Sequence, residues 1–356
     1  MTNPFTSNKI LAHLEDLHEY ASDRFFPPIY VEIDPTNRCA SACPWCAGYL
    51  NRPESKALLL ARGDDETERL ETSTAGIKSL LKDLHDIGVQ AVTWTGGGDP
   101  TQHKNITQIV EHAANLGFEQ GFITHGIIPI ESILKHVEWI RFSVDGASVD
   151  GYGKQHGKPE HFHIVLENIR SAVNHKTTHN LDCTIGVGFL TQKETWHEIV
   201  PFAELWREID VDYIQYRPLH DTHGNKHFSD NNYAIKKIRK AKEVDPRVVW
   251  SEPKYKAMIA GERGMTEHCH GIYFTTAISA DSNVYPCCHL KGDMNFSIGN
   301  LLTEKFSDIW FRHQSDKHFA GPFITSEKCP AFCRHYGTNQ FISEQVLLER
   351  QHKNFL

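Results

Sequence analysis

The stretch from Asn37 to Cys46, NRCASACPWC, places three cysteines within eight positions. They are Cys39, Cys43 and Cys46, in the spacing CxxxCxxC, and they follow a predicted strand at residues 29–33. A structural zinc site normally takes four protein ligands, and no fourth cysteine lies nearby. Three thiolates in one loop instead suit a [4Fe–4S] cube whose fourth iron stays open to an outside ligand. The open position is the informative part of this pattern.

Composition limits the class of protein. The chain has 356 residues, 40% of them hydrophobic, which is enough for one large domain or two smaller ones. The formal charge is −8, and no long basic run indicates binding to a nucleic-acid backbone. No apolar segment is long enough to span a bilayer, and the N-terminus lacks the apolar core of a signal peptide. We expect a cytoplasmic protein that binds neither nucleic acid nor a membrane.

Apolar periodicity predicts an alternation of strands and helices after a short N-terminal helix at residues 8–24. Six strand–helix units in sequence predict a parallel sheet with right-handed crossovers, either doubly wound or barrel-like. In both, chemistry collects at the carboxyl ends of the strands, where the cysteine loop lies. The predicted strands are 29–33, 91–97, 119–125, 139–145, 183–190 and 213–219. The predicted helices between them are 73–87, 106–116, 130–135, 161–173 and 195–208.

A second group of cysteines lies beyond residue 262, where the sequence becomes turn-rich. The chain has nine cysteines, an odd number, and clustered thiols in an intracellular chain favour metal ligation over a disulfide framework. Cys183 lies mid-strand among apolar residues and is predicted to be a core residue. We expect a small second domain built on the other five, which are Cys269, Cys287, Cys288, Cys329 and Cys333.

The CxxxCxxC loop resembles the cluster motif of the radical S-adenosylmethionine (SAM) superfamily, including the aromatic Trp45 before the last cysteine. The resemblance implies that Cys39, Cys43 and Cys46 hold a [4Fe–4S] cluster whose open iron is chelated by SAM. It also implies reductive cleavage of SAM to a 5′-deoxyadenosyl radical that takes a hydrogen atom from a substrate. The protein would hold these parts in register, and a flavodoxin or ferredoxin would donate the electron.

Three segments at the ends of strands two to four resemble the SAM-binding segments of the same family. TGGGDPT is similar to the family's GGEP, with Asp99 where glutamate is usual, and ITHG is similar to TNG, with His125 replacing asparagine. RFSVDG matches a segment that lies along SAM, and His156 stands where many relatives carry an arginine for the SAM carboxylate. The implied SAM-binding residues are Trp45, Gly96, Gly97, Gly98, Asp99, Thr124, His125, Ser143, Asp145 and His156.

Residues 265–340 resemble the auxiliary-cluster extensions called SPASM and twitch domains, through NVYPCC, IGN…W and KCPAFC. A full SPASM domain needs more cysteines than are present here, so the resemblance implies one auxiliary [4Fe–4S] cluster. A four-cysteine zinc site is the alternative. Cys288 is either a packed thiol beside a ligand or a catalytic hydrogen-atom donor to a substrate radical. The implied auxiliary ligands are Cys269, Cys287, Cys329 and Cys333.

The last predicted strand, YIQYRPL, places Tyr213, Gln215 and Arg217 on one face. Arg217 would bind an anionic group or act near a hydroxyl of the substrate, or else pair with a neighbouring acid. Fewer than thirty residues precede the first strand, too few for the leader-binding domain of many peptide maturases. We therefore expect a small polar substrate, a sugar, aminocyclitol or nucleoside, that is dehydrogenated or epimerised. The alternatives are a peptide- or protein-modifying maturase and a non-catalytic iron–sulfur or zinc protein.

These inferences predict an α/β fold with five parts. A partial (β/α)6 radical SAM barrel spans residues 28–222, and a small SPASM/twitch-like domain spans residues 263–340. An N-terminal helical extension (1–27), a helical linker (223–262) and a C-terminal helical tail (341–356) complete the chain.

Overall fold

The computed structural model describes residues 7–46, 71–219, 231–260, 268–315, 329 and 333–347. The described strands form one open sheet of ten strands in the order β10-β9-β8-β1-β2-β3-β4-β5-β6-β7. Neighbours from β8 to β7 run parallel, and β9 and β10 are antiparallel at one edge. The predicted α/β class is confirmed, because the parallel strands β1 to β6 lie side by side in sequence order and alternate with helices. The sheet of the described strands does not close. The domain boundaries predicted at residues 222 and 262 lie outside the described residues.

The strands begin and end close to the predicted limits. Each predicted strand exists, although β2 and β4 end earlier because their last predicted residues belong to the loops that follow. The strands are β1 Tyr30–Ile33, β2 Ala91–Trp94, β3 Glu119–Thr124, β4 Trp139–Ser143, β5 Thr184–Thr191, β6 Tyr213–Pro218, β7 Val248–Val249, β8 Thr275–Ile278, β9 Asn283–Tyr285 and β10 Gly299–Asn300.

Ten α-helices are described, and α4, which lies between β4 and β5, was not predicted. Its sequence VDGYGKQH contains two glycines, which are poor helix formers, so the periodic signal is weak. The Ser148 hydroxyl caps it by accepting from Gly151 N at 3.0 Å, and Gly157 ends it with a φ of +66°. The helices are α1 Leu14–Ala21, α2 Thr74–Asp86, α3 Ile106–Asn115, α4 Val149–His156, α5 Phe162–Thr178, α6 Ile199–Leu205, α7 Asn231–Val244, α8 Glu252–Ala260, α9 Phe306–Ser315 and α10 Tyr336–Phe341.

Three predicted helices are shorter or interrupted. The N-terminal helix is a 3-10 helix, Ser7–Ala12, followed by α1, and the element predicted at 130–135 is a 3-10 helix, Glu131–His136. The helix predicted at 195–208 is α6, with 3-10 helices Lys193–Glu198 and Trp206–Glu208 at its ends. None of the described helices is long and apolar enough to cross a membrane. The cytoplasmic location stays a prediction.

The two faces of the sheet differ in chemistry. The outer face is apolar and packs against the helices, with its central side chains fully buried. One polar exception, Gln120, satisfies its amide there, because it accepts from Trp94 Nε1 and donates to the carbonyls of Val110 and His136. The inner face carries polar and charged side chains instead. Those from β1, β4 and β6 are Tyr30, Glu32, Arg141, Ser143, Tyr213, Gln215 and Arg217.

The C-terminal region continues the same sheet. Strand β8 pairs in parallel with β1, with Tyr30 opposite Thr275 and Ile33 opposite Ile278. The Trp310 indole of α9 donates to the Phe26 carbonyl just before β1. The predicted second domain is therefore joined to the barrel through β1, rather than only through the linker.

Strand β5 carries glycines at two inner-face positions that neighbour bulky residues. A Cβ at Gly186 would lie 2.0 Å from the Tyr213 ring, whereas a Cβ at Gly188 would meet its nearest atoms at 3.6 Å. The ring of Tyr213 therefore occupies the space that a side chain at 186 would need.

Substitution of Gly186 by alanine tests this packing. We expect Gly186→Ala to lower the free energy of unfolding by about 1 to 3 kcal/mol, because the buried Tyr213 ring must move. The matched control is Gly188→Ala, the same change two residues along the same face, for which little change is expected. The measurement is urea-induced unfolding under anaerobic conditions. Equal stability of the two variants would contradict the inner-face packing.

Candidate cluster and SAM site

The cysteine loop leaves the end of β1 and is fixed to the turn after β2. Asp99 N donates to Arg38 O at 2.9 Å, and Gly98 N donates to Thr36 O at 3.2 Å. A Cβ at Gly98 would lie 2.2 Å from Arg38 O, so this approach requires glycine. Gly96 is equally constrained, since its Cβ would lie 2.3 Å from Gly98 O. The glycine-rich turn therefore positions the residues just before Cys39.

The other side of the loop is fixed to helix α4. Ala42 N donates to the His156 carbonyl at 2.8 Å, and a Cβ at Gly157 would lie 2.5 Å from Ala42 O. The His156 ring places Nδ1 3.4 Å from Cys43 Sγ. The structure thus brings the first predicted metal-binding loop against the two segments predicted to surround SAM.

The three thiols lie close enough to influence one another. Cys39 is exposed, and Cys43 and Cys46 are half-buried. Although Cys39 as a whole residue is exposed, the surrounding loop desolvates its thiol and raises the pKa of Cys39 to about 11, with further increases from the charges of Asp99 and Cys46. Burial also raises the pKa of Cys43, and both other thiols add to the increase. Such crowded thiols deprotonate together only beside a compensating positive charge, which the irons of a cluster provide.

Asp99 joins the ends of β2 and β3. Its carboxylate accepts from Thr101 N at 2.9 Å, from Thr124 Oγ1 at 2.9 and 3.0 Å, and from His125 N at 2.7 Å. Asp99 and Thr124 are both buried, and both carboxylate oxygens are used. The predicted SAM-side residues Asp99, Thr124 and His125 are therefore brought together by one carboxylate.

The tautomer of His125 follows from its contacts. Its Nδ1 accepts from Ile127 N at 3.1 Å, so the proton of the neutral ring resides on Nε2. Burial lowers the pKa of His125, which favours this neutral form. The Nε2–H group is buried and has no hydrogen-bond partner within the described residues. It is a donor available to a bound polar ligand.

Asp145 follows β4 in a left-handed conformation, with φ of +58°. Its Oδ1 accepts from Leu190 N at 2.6 Å, and its Oδ2 lies 3.4 Å from His156 Nε2. Burial opposes its ionisation, but His156 and Arg217 hold the pKa of the carboxyl below its usual value. His156 Nε2 also lies 3.1 Å from Val144 O. Both nitrogens of His156 have partners inside the protein, so its contact with the SAM carboxylate stays a prediction.

The remaining predicted SAM-side residues border the same region. Trp45 is half-buried beside Cys46, Ser143 is half-buried at the inner-face end of β4, and Gly97 donates its N–H to the Asp34 carboxylate. Three more polar atoms near the loop are buried without a partner in the described residues: both amide atoms of Asn37 and Oγ of Ser41. Buried polar groups are normally paired, so these atoms fit a site for a polar cofactor such as SAM.

The C-terminal cysteines form a second group. Burial raises the pKa of Cys333 to about 12, and the charges of Cys269, Cys329 and Cys288 contribute to the increase. Cys288 lies beside Cys287, whose hydrogen bond lowers the pKa of Cys288, and Arg334 acts in the same direction. Within the described ranges no three His, Cys, Asp or Glu side chains converge as the ligands of a single ion would. Cys287 as the fourth ligand and Cys288 as the spare thiol stay predictions.

Hydrogen-bond donors face the sulfurs of this second group. The fully buried Asn339 donates from Nδ2 to Cys269 Sγ at 3.5 Å and accepts from Gly271 N at 2.8 Å. His289 N lies 3.5 Å from Cys287 Sγ. Donors of this kind accompany sulfur ligands and tune an iron–sulfur cluster, so this donor set fits one.

Sequence reasoning missed the charge pairs that connect β1 to the auxiliary region. Arg334 contacts the carboxylate of Glu32 and lies 2.5 Å from the Tyr30 hydroxyl. Lys291 Nζ lies 2.7 Å from Asp34 Oδ1. The alternation of apolar and acidic residues in YVEID hinted that Glu32 faces inward, but its partner lies 302 positions away.

Comparison with known families agrees with this geometry. The family model described as the Radical SAM superfamily matches residues 33–205, and the SPASM model, described as an iron–sulfur cluster-binding domain, matches residues 269–335. The first match contains the cysteine loop and the ends of β2 to β4. The second contains all five C-terminal cysteines.

The curated relatives are peptide cyclases. The PqqA peptide cyclase of Xanthomonas euvesicatoria pv. vesicatoria (strain 85-10) is 33% identical over 147 residues, which is 38% of this chain. That of Bradyrhizobium diazoefficiens is 23% identical over 205 residues, or 54% of this chain. The matches cover 36% and 47% of those relatives, so the chain spans less than half of their length.

Two solved structures share the fold. SuiB of Streptococcus suis bound to the precursor peptide SuiA has a TM-score of 0.61 at 15% identity, covering 90% of this chain and 71% of that chain. The protein anSMEcpe with bound AdoMet has a TM-score of 0.57 at 13% identity, covering 84% of both chains.

The expectation of a small-molecule substrate in preference to a peptide is wrong. It depended on the short segment before β1, whereas the relatives by sequence are peptide cyclases and a structural neighbour was solved with a precursor peptide. The length of one terminal segment did not reveal the substrate class, because it carries no information about the space inside the barrel.

The two matched families imply a SAM-binding [4Fe–4S] cluster, auxiliary iron–sulfur ligation and SAM itself. The cysteine loop, the buried polar atoms beside it and the sulfur-directed donors of the second group suit these cofactors. The chain carries a radical SAM domain at residues 33–205 and a C-terminal SPASM domain at residues 269–335.

Proposed function

We propose that the protein is a peptide-modifying radical SAM enzyme of the oxidoreductase type. The observation that carries the proposal is the attachment of the cysteine loop to the turn after β2 and to helix α4, at the edge of a polar inner face. The peptide cyclases among its relatives support a peptide substrate.

The cofactors would supply the radical and redox chemistry, and the protein would bind and position them. When bound, the open cluster and SAM would supply the chemistry for hydrogen-atom abstraction from the substrate, and the auxiliary cluster would supply one-electron redox chemistry. Cys39, Cys43 and Cys46 would ligate the first cluster. Cys269, Cys287, Cys329 and Cys333 would ligate the second. The Nε2–H of His125 and the amide of Asn37 would donate to SAM from buried positions.

The inner face would orient the peptide. Gly188 leaves room over β5, while β4 and β6 contribute Arg141, Gln215 and Arg217 as hydrogen-bond donors and acceptors. Cys288 stands near Glu32, Arg334 and Lys291 on the auxiliary side of this space. A hydrogen-atom donor there would favour epimerisation, and an inert thiol would favour oxidation; we propose the latter.

Removal of one cysteine of the loop tests SAM chemistry. We expect Cys43→Ala to abolish formation of 5′-deoxyadenosine from SAM and dithionite, because two thiolates do not retain the cube with an open iron. The matched control is Cys183→Ala, which removes a core thiol and should leave product formation intact. The measurement is anaerobic product analysis after reconstitution. Wild-type product levels in Cys43→Ala would refute the proposal.

Metal analysis tests the second site. We expect about eight irons and about eight sulfides per reconstituted chain, corresponding to two cubes, and about four of each in Cys333→Ala. About four irons with one zinc in the wild-type protein would instead identify a zinc site. The measurement is elemental and acid-labile sulfide analysis, checked by the visible absorption of the clusters.

Mass spectrometry tests the peptide reaction. Co-expression with a short peptide encoded beside its gene should give a product that has lost two hydrogen atoms, as an oxidative bond formation requires. One hydrogen leaves in 5′-deoxyadenosine, and the other leaves as a proton with an electron passed to the auxiliary cluster. Fragment ions would locate the altered residues. Incorporation of solvent deuterium at one carbon without mass loss would indicate epimerisation, and Cys288→Ala would then abolish it.

A further inference from the structure

Two arginines meet on the inner face of the sheet. Arg141 of β4 and Arg217 of β6 belong to the strands on either side of β5. The point where a Cβ of Gly188 would lie is 3.6 Å from Arg141 Cδ and 3.6 Å from Arg217 Nη2. Because Gly188 has no side chain, both arginines extend over β5 and converge in one place.

Neither arginine has a carboxylate partner within the described residues. Arg141 Nη1 donates to the neutral Gln215 Oε1 at 3.2 Å, and the Nε atoms of both arginines are buried without a hydrogen bond. The carboxylate whose charge reaches both is Asp145. That carboxylate already accepts from Leu190 N and faces His156. The donors of the two arginines therefore remain available.

Other cations of the same interior are paired with acids. Arg334 contacts Glu32, and Lys291 Nζ lies 2.6 Å from Asp34 Oδ2. Lys254 of α8 adds a third positive charge near Arg217, since burial and Arg217 lower its pKa to about 8. The unpaired positive charge is thus concentrated at one end of the interior, beside Arg217.

Such a pair is unfavourable when nothing neutralises it. Burial lowers the pKa of Arg141 to about 9, and the charge of Arg217 acts in the same direction. Two guanidinium groups with unused donors match the planar, two-oxygen geometry of a carboxylate. An anion that enters the barrel would relieve the repulsion and satisfy the buried Nε atoms.

We propose that Arg141 and Arg217 form the specificity site for an acidic residue, Asp or Glu, of the peptide substrate. The inference rests on the proposed peptide-modifying function and deepens it by naming the chemistry that the interior recognises. Arg141 lies two residues before Ser143 on the same face, so the carboxylate would be held one step below the SAM-side edge. The pair would fix which residue of the peptide approaches that edge.

The test uses two small probes that differ in one charge. N-acetyl-glutamate methylamide and its neutral twin N-acetyl-glutamine methylamide are added to the reconstituted protein with SAM, and the melting temperature is followed anaerobically. We expect the glutamate probe to raise the melting temperature and the glutamine probe to leave it unchanged. Arg141→Gln and Arg217→Gln should each weaken binding of the glutamate probe, as read from the rise in melting temperature, by about tenfold or more. The matched control is Arg170→Gln, since Arg170 is exposed on α5 and paired with Glu167.

Several results would overturn the proposal. One is an equal response to both probes, and another is an unchanged glutamate response in both variants. A matching shift with inorganic phosphate would identify a general anion site. A tenfold rise in the KM for SAM in Arg141→Gln, measured by substrate-free deoxyadenosine formation, would assign the pair to the SAM carboxylate. If a glutamine variant fails to fold, Arg141→Lys keeps the charge without the planar fork and should still weaken the glutamate response.

The two proposals fail in distinguishable ways. If the wild-type protein forms no 5′-deoxyadenosine, the proposed function fails, while the melting temperatures still report on the arginine pair. If deoxyadenosine forms but the two probes act alike, the carboxylate site fails and the radical chemistry stands.

Discussion

The parallel pairing of β1 on both sides is the constraint on which the rest of the structure depends. One side pairs with β2, whose turn fixes the cysteine loop, and the other pairs with β8, which begins the auxiliary region. The cysteine loop follows the end of β1, and the auxiliary region begins with β8 beside it. The predicted site of the open cluster and the second cysteine group are therefore both positioned by one four-residue strand. Charge pairs from Glu32 and Asp34 to Arg334 and Lys291 strengthen this connection from the inner face. Metal binding contributes folding energy, so occupation of either site supports the strand that both share.

Local patterns in the sequence were sufficient for the architecture. The alternation of strands and helices, the three-cysteine loop and the segments after β2 to β4 are all short-range features. The fold and the matched families confirm the fold class, the family and the cofactors that they predict, while the roles of the individual site residues stay predictions. Helix α4 was not predicted because its glycines weaken the periodic pattern of apolar residues. The charge pairs Arg334–Glu32 and Lys291–Asp34 were not predicted for a different reason. Their partners are separated by more than 250 positions, and no local pattern in the sequence indicates such a pairing. The joining of β8 to β1 is a long-range contact of the same kind.

The short segment before β1 did not predict the class of substrate correctly. The sequence predicted that Arg217 faces inward. The structure adds that Arg141 lies on the other side of Gly188, so that the two arginines are neighbours. Each arginine alone is as well explained by a structural ion pair. Together, without an ion pair to a carboxylate among the described residues, they define a positively charged end of the interior. The chemistry of a barrel interior depends on which strands are neighbours, and that neighbourhood appears only when the sheet is assembled.

The two glycines of β5 have unequal capacity for change. Position 186 is filled by the Tyr213 ring and has no room for another atom, whereas a Cβ at position 188 would make ordinary contact with both arginines at 3.6 Å. A single methyl group at 188 would therefore fit between the arginines, while the buried outer-face residues Val187 and Phe189 keep the strand in the core. Gly188 is therefore a position at which one added methyl group would change the spacing of Arg141 and Arg217 while leaving the strand in place.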